Sequence, residues 1–234
     1  MTFVLNGCSF SANYYEARHL ATSVGCTNFV SLARGGRSNR QIIRTTLEYV
    51  ESNPVKFVLL GLSMWDRYES DFLITVPDTD NWVNYRRQGV HDGSVGPDSV
   101  FNSDTDFQDV DVYIRNKYTY EHSLKSLDQL MCDLVMFTGY LESKGIEYCI
   151  YNTCETNYAR YFTTVNSRYQ PIIQKNPRIV PLDSFISNLF LHSHGATWAE
   201  TENVWPDHSK HYDGHFYRHL NNYLLQYLRE NGLL

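Results

Sequence analysis

The chain has 234 residues, 42% of them hydrophobic and 20% charged, which fits one large domain or two small ones and excludes a disordered polypeptide. A net charge of −6 with no strongly basic stretch excludes a nucleic-acid surface, because phosphate binding draws most of its affinity from clustered Lys and Arg. No apolar run approaches membrane-spanning length and no basic segment precedes the first one, so neither a transmembrane segment nor a signal peptide is expected. The expected location is the cytoplasm, or a particle assembled there.

In chain order, Thr2–Asn6 reads as a short buried strand broken by Gly7, and Asn13–Val24 as a helix. Thr27–Leu32 reads as a second strand, followed by a helix over Asn39–Ser52 with Ile42, Ile43 and Leu47 on one face. Val55–Leu62 is a nearly continuous apolar run, the pattern of a strand buried on both faces of a parallel sheet. Residues from about Glu69 to Asp111 break this rhythm, being rich in Asp, Asn, Gly and Ser with scattered aromatics (Trp82, Tyr85, Phe101, Phe107). A loop of that length directly after a strand reads as an inserted lid or cap at the edge where α/β sheets bind ligands. Tyr118–Lys144 reads as a long helix or a broken pair ending at Gly145. Ile146–Tyr151 is a fourth strand, Arg178–Leu182 a candidate fifth, and Phe216–Arg229 an amphipathic helix with Leu220, Leu224, Leu225 and Leu228 on its apolar side. Strands alternating with helices predict a single α/β domain over 1–234, a three-layer α/β/α sandwich around a parallel sheet, with 69–111 inserted after strand three.

The five cysteines (8, 26, 132, 149 and 154) are odd in number and form no CxxC pair, the pattern of reduced, buried thiols. His208, His211, His215 and His219 raise the question of a metal, but HEXXH is absent and no cysteine lies nearby, so no metal and no cofactor is expected.

Four segments carry chemistry, each placed at the same predicted sheet edge. Ser9 follows the first strand, where a nucleophile is exposed and backbone N–H groups can stabilise an oxyanion. After strand two, the paired Gly35-Gly36 lets backbone approach a ligand, and Ser38 or Asn39 can cap the next helix. After strand three, Ser63 offers a small polar side chain toward the same crevice. Just before the last helix, Asp213 and His215 supply the orienting carboxylate and base that an activated serine needs. Asp207 with His211 (or His208) is an alternative acid/base pair.

Together these blocks resemble the SGNH (GDSL-like) hydrolase superfamily. Asn6-Gly7-Cys8-Ser9-Phe10 matches its Gly-Asp-Ser block, and Gly36 with Ser38-Asn39 its glycine block. Gly61-Leu62-Ser63 falls at its Gly-x-Asn-Asp block, and Asp213-Gly214-His215 at its Asp/His block. The resemblance implies a flavodoxin-like sandwich and ester hydrolysis through an acyl-serine. Ser9 would attack, His215 would take its proton, and Asp213 would orient His215. The N–H groups of Ser9 and Gly36, with Ser63 or Asn39, would hold the oxyanion. Three departures mark the chain as divergent: Cys8 replaces Asp, Ser63 replaces the donor Asn, and one residue rather than two separates Asp213 from His215. Losing one oxyanion donor typically costs about 10²–10³ in rate, so Ser63 implies weakened turnover unless Asn39 compensates. The expected substrate is a small ester, acetyl-like, on a carbohydrate or similarly polar molecule. The alternatives are a non-catalytic binding or structural protein of a larger assembly such as a virus particle, an oligomer or assembly partner then being implied, and an acyltransferase on the same scaffold.

Overall fold

The computed structural model describes residues 1–12, 14–34, 37–63, 68–70, 83–87, 95–96, 120–153, 167–182 and 214–234; at Ser9, Phe10, 214–216 and the other positions without a burial assignment it describes the backbone alone. In chain order the elements are β1 (Thr2–Asn6), α1 (Ser9–Ala12), α2 (Ala17–Ser23), β2 (Asn28–Ser31), α3 (Asn39–Ser52), β3 (Val55–Leu62), β4 (Tyr68–Ser70), β5 (Val83–Arg87), β6 (Val95–Gly96), α4 (Tyr120–Ser143), β7 (Glu147–Asn152), α5 (Gln170–Lys175) and α6 (Gly214–Glu230). The main sheet is parallel, in the order β2-β1-β3-β7.

The alternation of side chains along each strand divides the core into two layers. Val4, Val58, Leu60, Leu62, Tyr148 and Ile150 face α3, α4 and α5, where they meet Ile42, Leu134, Phe137 and Ile173. Phe3, Leu5, Phe57, Leu59, Cys149 and Tyr151 face α2 and α6, where they meet Leu20, Tyr217, Leu220 and Leu224. Phe3 stacks on Phe57 at 5.3 Å and on Phe29 at 5.8 Å, so one ring row crosses three strands. Fully burying each large side chain contributes about 1.5–3 kcal/mol, which explains why β3 reads as an unbroken apolar run. This is the α/β/α sandwich that the alternation of elements predicts.

Local details differ from the sequence reading. The helix read over 13–24 is shortened to α2, Ala17–Ser23, with a turn before it and a separate α1 over Ser9–Ala12; Tyr14, ahead of that turn, stacks on Tyr217 of α6 at 5.3 Å. The candidate fifth strand is reduced to a bridge, Ile179 beside Ile150, since Pro181 has no N–H to extend the ladder. Helix α5, which starts around Pro171, carried no periodic signal long enough to announce it. In the polar stretch after β3, β4, β5 and β6 form an antiparallel sheet in that order, where composition alone suggested only loop. Val83 and Tyr85 alternate with polar residues in β5, a strand pattern masked by the surrounding Asp and Gly.

Among the described residues the cysteines are free thiols: Cys8, Cys26 and Cys149 are buried and Cys132 is half-buried; Cys154 lies outside the described residues. Burial pushes the Cys149 thiol up to about 12. In the native protein at about pH 8, iodoacetamide should therefore modify Cys132 well before Cys8 or Cys149, followed by peptide mass. The raised Cys149 value also makes stability complete below the ordinary thiol range near about 8.5 and lost as pH climbs through about 12. Urea midpoints should fall steadily across that window, and a flat profile would contradict the burial of this thiol.

Candidate active site

Strand order places the site. The chain runs from β1 to β2 on one side, then returns to place β3 on the other side of β1. The carboxyl ends of β1 and β3 therefore diverge into loops on opposite sides, opening the crevice where α/β sheets bind ligands. The exits of both strands, and the head of α3, meet there.

The β1 exit is held from several directions. Asn6, fully buried, donates through Nδ2 to the Ile42 carbonyl at 3.0 Å and to the hydroxyls of Thr45 and Thr46, both at 2.9 Å. Its Oδ1 accepts the Gly7 N–H at 2.8 Å. The Cys8 carbonyl accepts the N–H groups of Ser11 and Ala12, each at 3.0 Å, and so starts α1 with Ser9 as its first residue. The Cys8 thiol is buried, 3.5 Å from the Thr153 hydroxyl, which in turn donates to the Leu62 carbonyl at 2.6 Å. Ser11 is buried with its hydroxyl 3.3 Å from that of Tyr151, in a space that Gly7 and Gly61 leave open between the two strand exits.

Asn39 and Ser63, read separately from the sequence, are brought together. Asn39 opens α3 behind the Ser38 cap, whose hydroxyl accepts the Gln41 N–H at 3.2 Å. The Asn39 carboxamide takes Ser63 at both ends: Oδ1 accepts the Ser63 N–H at 2.7 Å and Nδ2 donates to the Ser63 carbonyl at 3.1 Å. The β3 exit is thereby fixed to the head of α3. Asn39→Ala deprives two buried backbone groups of this partner and should cost about 2–3 kcal/mol. A urea titration checks it; a loss under about 0.5 kcal/mol would mean that water serves Ser63 equally well.

His215 is the second residue of α6, and the Tyr14–Tyr217 stack ties that helix to the chain just after Ser9. The Tyr14 hydroxyl adds a bond to Asn221 Oδ1 at 3.3 Å. Burial raises both Tyr14 and Tyr217 well above the ordinary phenol range, so both rings stay neutral. Gly36, Asp207, His208, His211 and Asp213 lie outside the described residues, as do the side chains of Ser9 and His215. Among the described residues no three His, Cys, Asp or Glu side chains gather as a metal would need. Nor is any described helix long and apolar enough to cross a membrane. Sequence reasoning assigned no role to Asn6, Arg37, Tyr14 or Thr153; a carboxamide closing an apolar strand before a glycine was the one visible signal among them.

The backbone fold is similar to that of solved structures. It superimposes on TesA with a TM-score of 0.51 at 12% identity, over 99% of each chain. The chain has the SGNH (GDSL-like) hydrolase fold. A GDSL-like lipase from Bacteroides thetaiotaomicron matches with a TM-score of 0.49 at 9% identity, over 98% of this chain and 88% of that one. No protein-family model and no curated protein matches the sequence. The likeness to this fold is one of backbone structure, with 12% sequence identity behind it.

Proposed function

We propose that the protein is a serine hydrolase of the SGNH type, cleaving a small acyl ester, acetyl-like, from a carbohydrate or similarly polar substrate. The observation that carries this reading is the position of Ser9: it opens α1 at the end of the central strand β1, beside the point where strand order reverses. Its nucleophilic neighbours are otherwise engaged, since Cys8 and Ser11 are both buried against groups on β7 and just beyond it. Ser9 Oγ attacks the ester carbonyl carbon while His215, oriented by Asp213, takes its proton. The tetrahedral oxyanion is received by the N–H groups of Ser9 and Gly36, with Ser63 as the side-chain donor. Because Asn39 holds Ser63 by its backbone, Asn39 serves the site first by placing Ser63. Collapse breaks the ester bond, and the alcohol leaves with the proton from His215. Water then gives its proton to His215 and attacks acyl-Ser9; collapse breaks the acyl–Oγ bond, releasing the acid, and His215 returns the proton to Ser9 Oγ. With an alcohol in place of that water the same steps are acyl transfer.

The test is labelling with a fluorophosphonate, which phosphonylates an activated serine, followed by peptide mass to locate it. Wild type is expected to carry the label on Ser9, and Ser9→Ala and His215→Ala to carry none. An unlabelled wild type that also fails to turn over short-chain aryl esters favours the binding or assembly role, in which the fold persists without the reaction.

A further inference from the structure

The densest buried polar cluster described at the sheet edge involves none of the residues given a chemical role above. Arg37, only 6% exposed, follows the paired glycines after β2 and turns inward. Its NH1 donates to the Leu32 carbonyl at 2.8 Å, to the Thr45 hydroxyl at 3.1 Å and to Asn6 Oδ1 at 3.3 Å. That Oδ1 is the same atom that accepts the Gly7 N–H, and the Thr45 hydroxyl also accepts from Asn6 Nδ2 and donates to the Gln41 carbonyl at 2.8 Å. Asn6, Arg37 and Thr45 thus form a closed triangle. Two backbone bonds run parallel to it, Leu32 N–H to the Leu5 carbonyl at 2.8 Å and Arg34 N–H to the Gly7 carbonyl at 3.2 Å. The exits of β1 and β2 are therefore fastened to one another and to α3.

Burying a guanidinium and a carboxamide is costly, and an apolar pair would close a strand end at less expense. What an apolar pair lacks is direction. A satisfied polar network admits one arrangement of its members, whereas apolar contacts tolerate sliding. Here the member at the end of the network is the Gly7 peptide, two residues before Ser9.

We infer that Asn6 and Arg37 are positioning residues for the turn that presents the nucleophile, acting through the Gly7 N–H; this rests on Ser9 being that nucleophile. Asn6 Oδ1 sets the plane of the Gly7 peptide, and Arg37 sets Oδ1. Both side chains are buried. Their removal leaves substrate binding alone and displaces the attacking hydroxyl, and a displacement near 1 Å can cost about 10²-fold in rate.

The experiment measures fluorophosphonate labelling of Ser9 at several probe concentrations, separating the maximal rate from the half-saturating concentration, per folded molecule. Asn6→Leu and Arg37→Met should lower the maximal rate about tenfold or more with the half-saturating concentration unchanged. Asn6→Asp keeps an acceptor for both the Gly7 N–H and Arg37, and should stay within about threefold of wild type although its bond to the Ile42 carbonyl is lost. Arg37→Lys, a milder change that keeps charge but loses the planar fork, should fall between. Should Asn6→Leu or Arg37→Met not fold, Arg37→Lys still decides, since labelling at the wild-type rate per folded molecule would overturn the inference. Variants that lose stability yet label at the wild-type rate per folded molecule would overturn the inference, as would an Asn6→Asp no faster than Asn6→Leu. An unlabelled wild type would instead remove the nucleophile itself, and this inference with it.

Discussion

Replacing Ser9 with Ala is expected to lower short-chain ester hydrolysis by about 10⁴-fold or more, the scale on which nucleophile removal acts in serine hydrolases of other folds. His215→Ala should do the same. The informative variant is the double one, which should be scarcely slower than either single variant, because nucleophile and base act as one unit and cannot be lost twice. Strictly multiplicative losses would mean that the two residues serve separate steps and that the base lies elsewhere. The orienting acid follows from the same assay. Asp213→Ala should cost far more than Asp207→Ala, and the reverse order would move the acid and base upstream to Asp207 and His211. Label that survives Ser9→Ala would place the nucleophile on another serine.

Gly61→Ala is expected to destabilise the protein by about 1–3 kcal/mol, the range of overpacked cores. A Cβ there would collide with the Ser11 hydroxyl, lie 2.6 Å from Thr153 Cγ2 and stand 3.0 Å from the Tyr151 hydroxyl. None of these can retreat freely. Ser11 is held under the β1 exit, where a Cβ on Gly7 would meet the same hydroxyl and come within 2.9 Å of the Gly61 carbonyl. The two glycines thus share one side chain, and the β1 and β3 exits approach as closely as Ser11 permits. Ser11→Ala in the Gly61→Ala background should recover part of the loss in a urea titration, and Thr153→Ser a further part. A Gly61→Ala variant as stable as wild type would mean that the exits can separate at little cost. Activity of the variant, per folded molecule, should fall as well, since both loops border the crevice.

The long elements were legible because each is decided by its own pattern. Helix α3 spans Asn39–Ser52 and β3 spans Val55–Leu62, the same residues that periodicity and the apolar run marked. Ser38 signals the start of α3 by an ordinary cap, and Gly145 ends α4 in a left-handed turn at φ +66°. The errors fall where a distant partner overrides local preference. Tyr14 sits in a stretch with helical spacing, yet its ring is worth more against Tyr217 than along a helix face, and nothing between residues 13 and 24 announces that. The place of the candidate site was legible in a similar way. Loop positions after β1 and β3 followed from the strand pattern, and so did the candidacy of Ser9, Asn39 and Ser63. The bidentate hold of Asn39 on Ser63 spans two loops and was not, because hydrogen-bond partners remote in sequence leave no periodic trace.

The strand order also governs how this sheet can assemble. Its central pairing, β1 with β3, bridges the whole first βαβ unit, and β3 meets β7 only after everything from Ser63 to Ile146 has been bypassed. Each such pairing spends loop-closure entropy before any contact rewards it. The face lined by Phe3, Leu5, Phe57 and Leu59 is sealed by α6, which follows every strand in the chain. Until α6 docks, that face has only α2 to cover it. Tyr217 meeting Tyr14 is then expected late in folding, so the act that completes the apolar layer also fastens the head of α6 to the chain between α1 and α2.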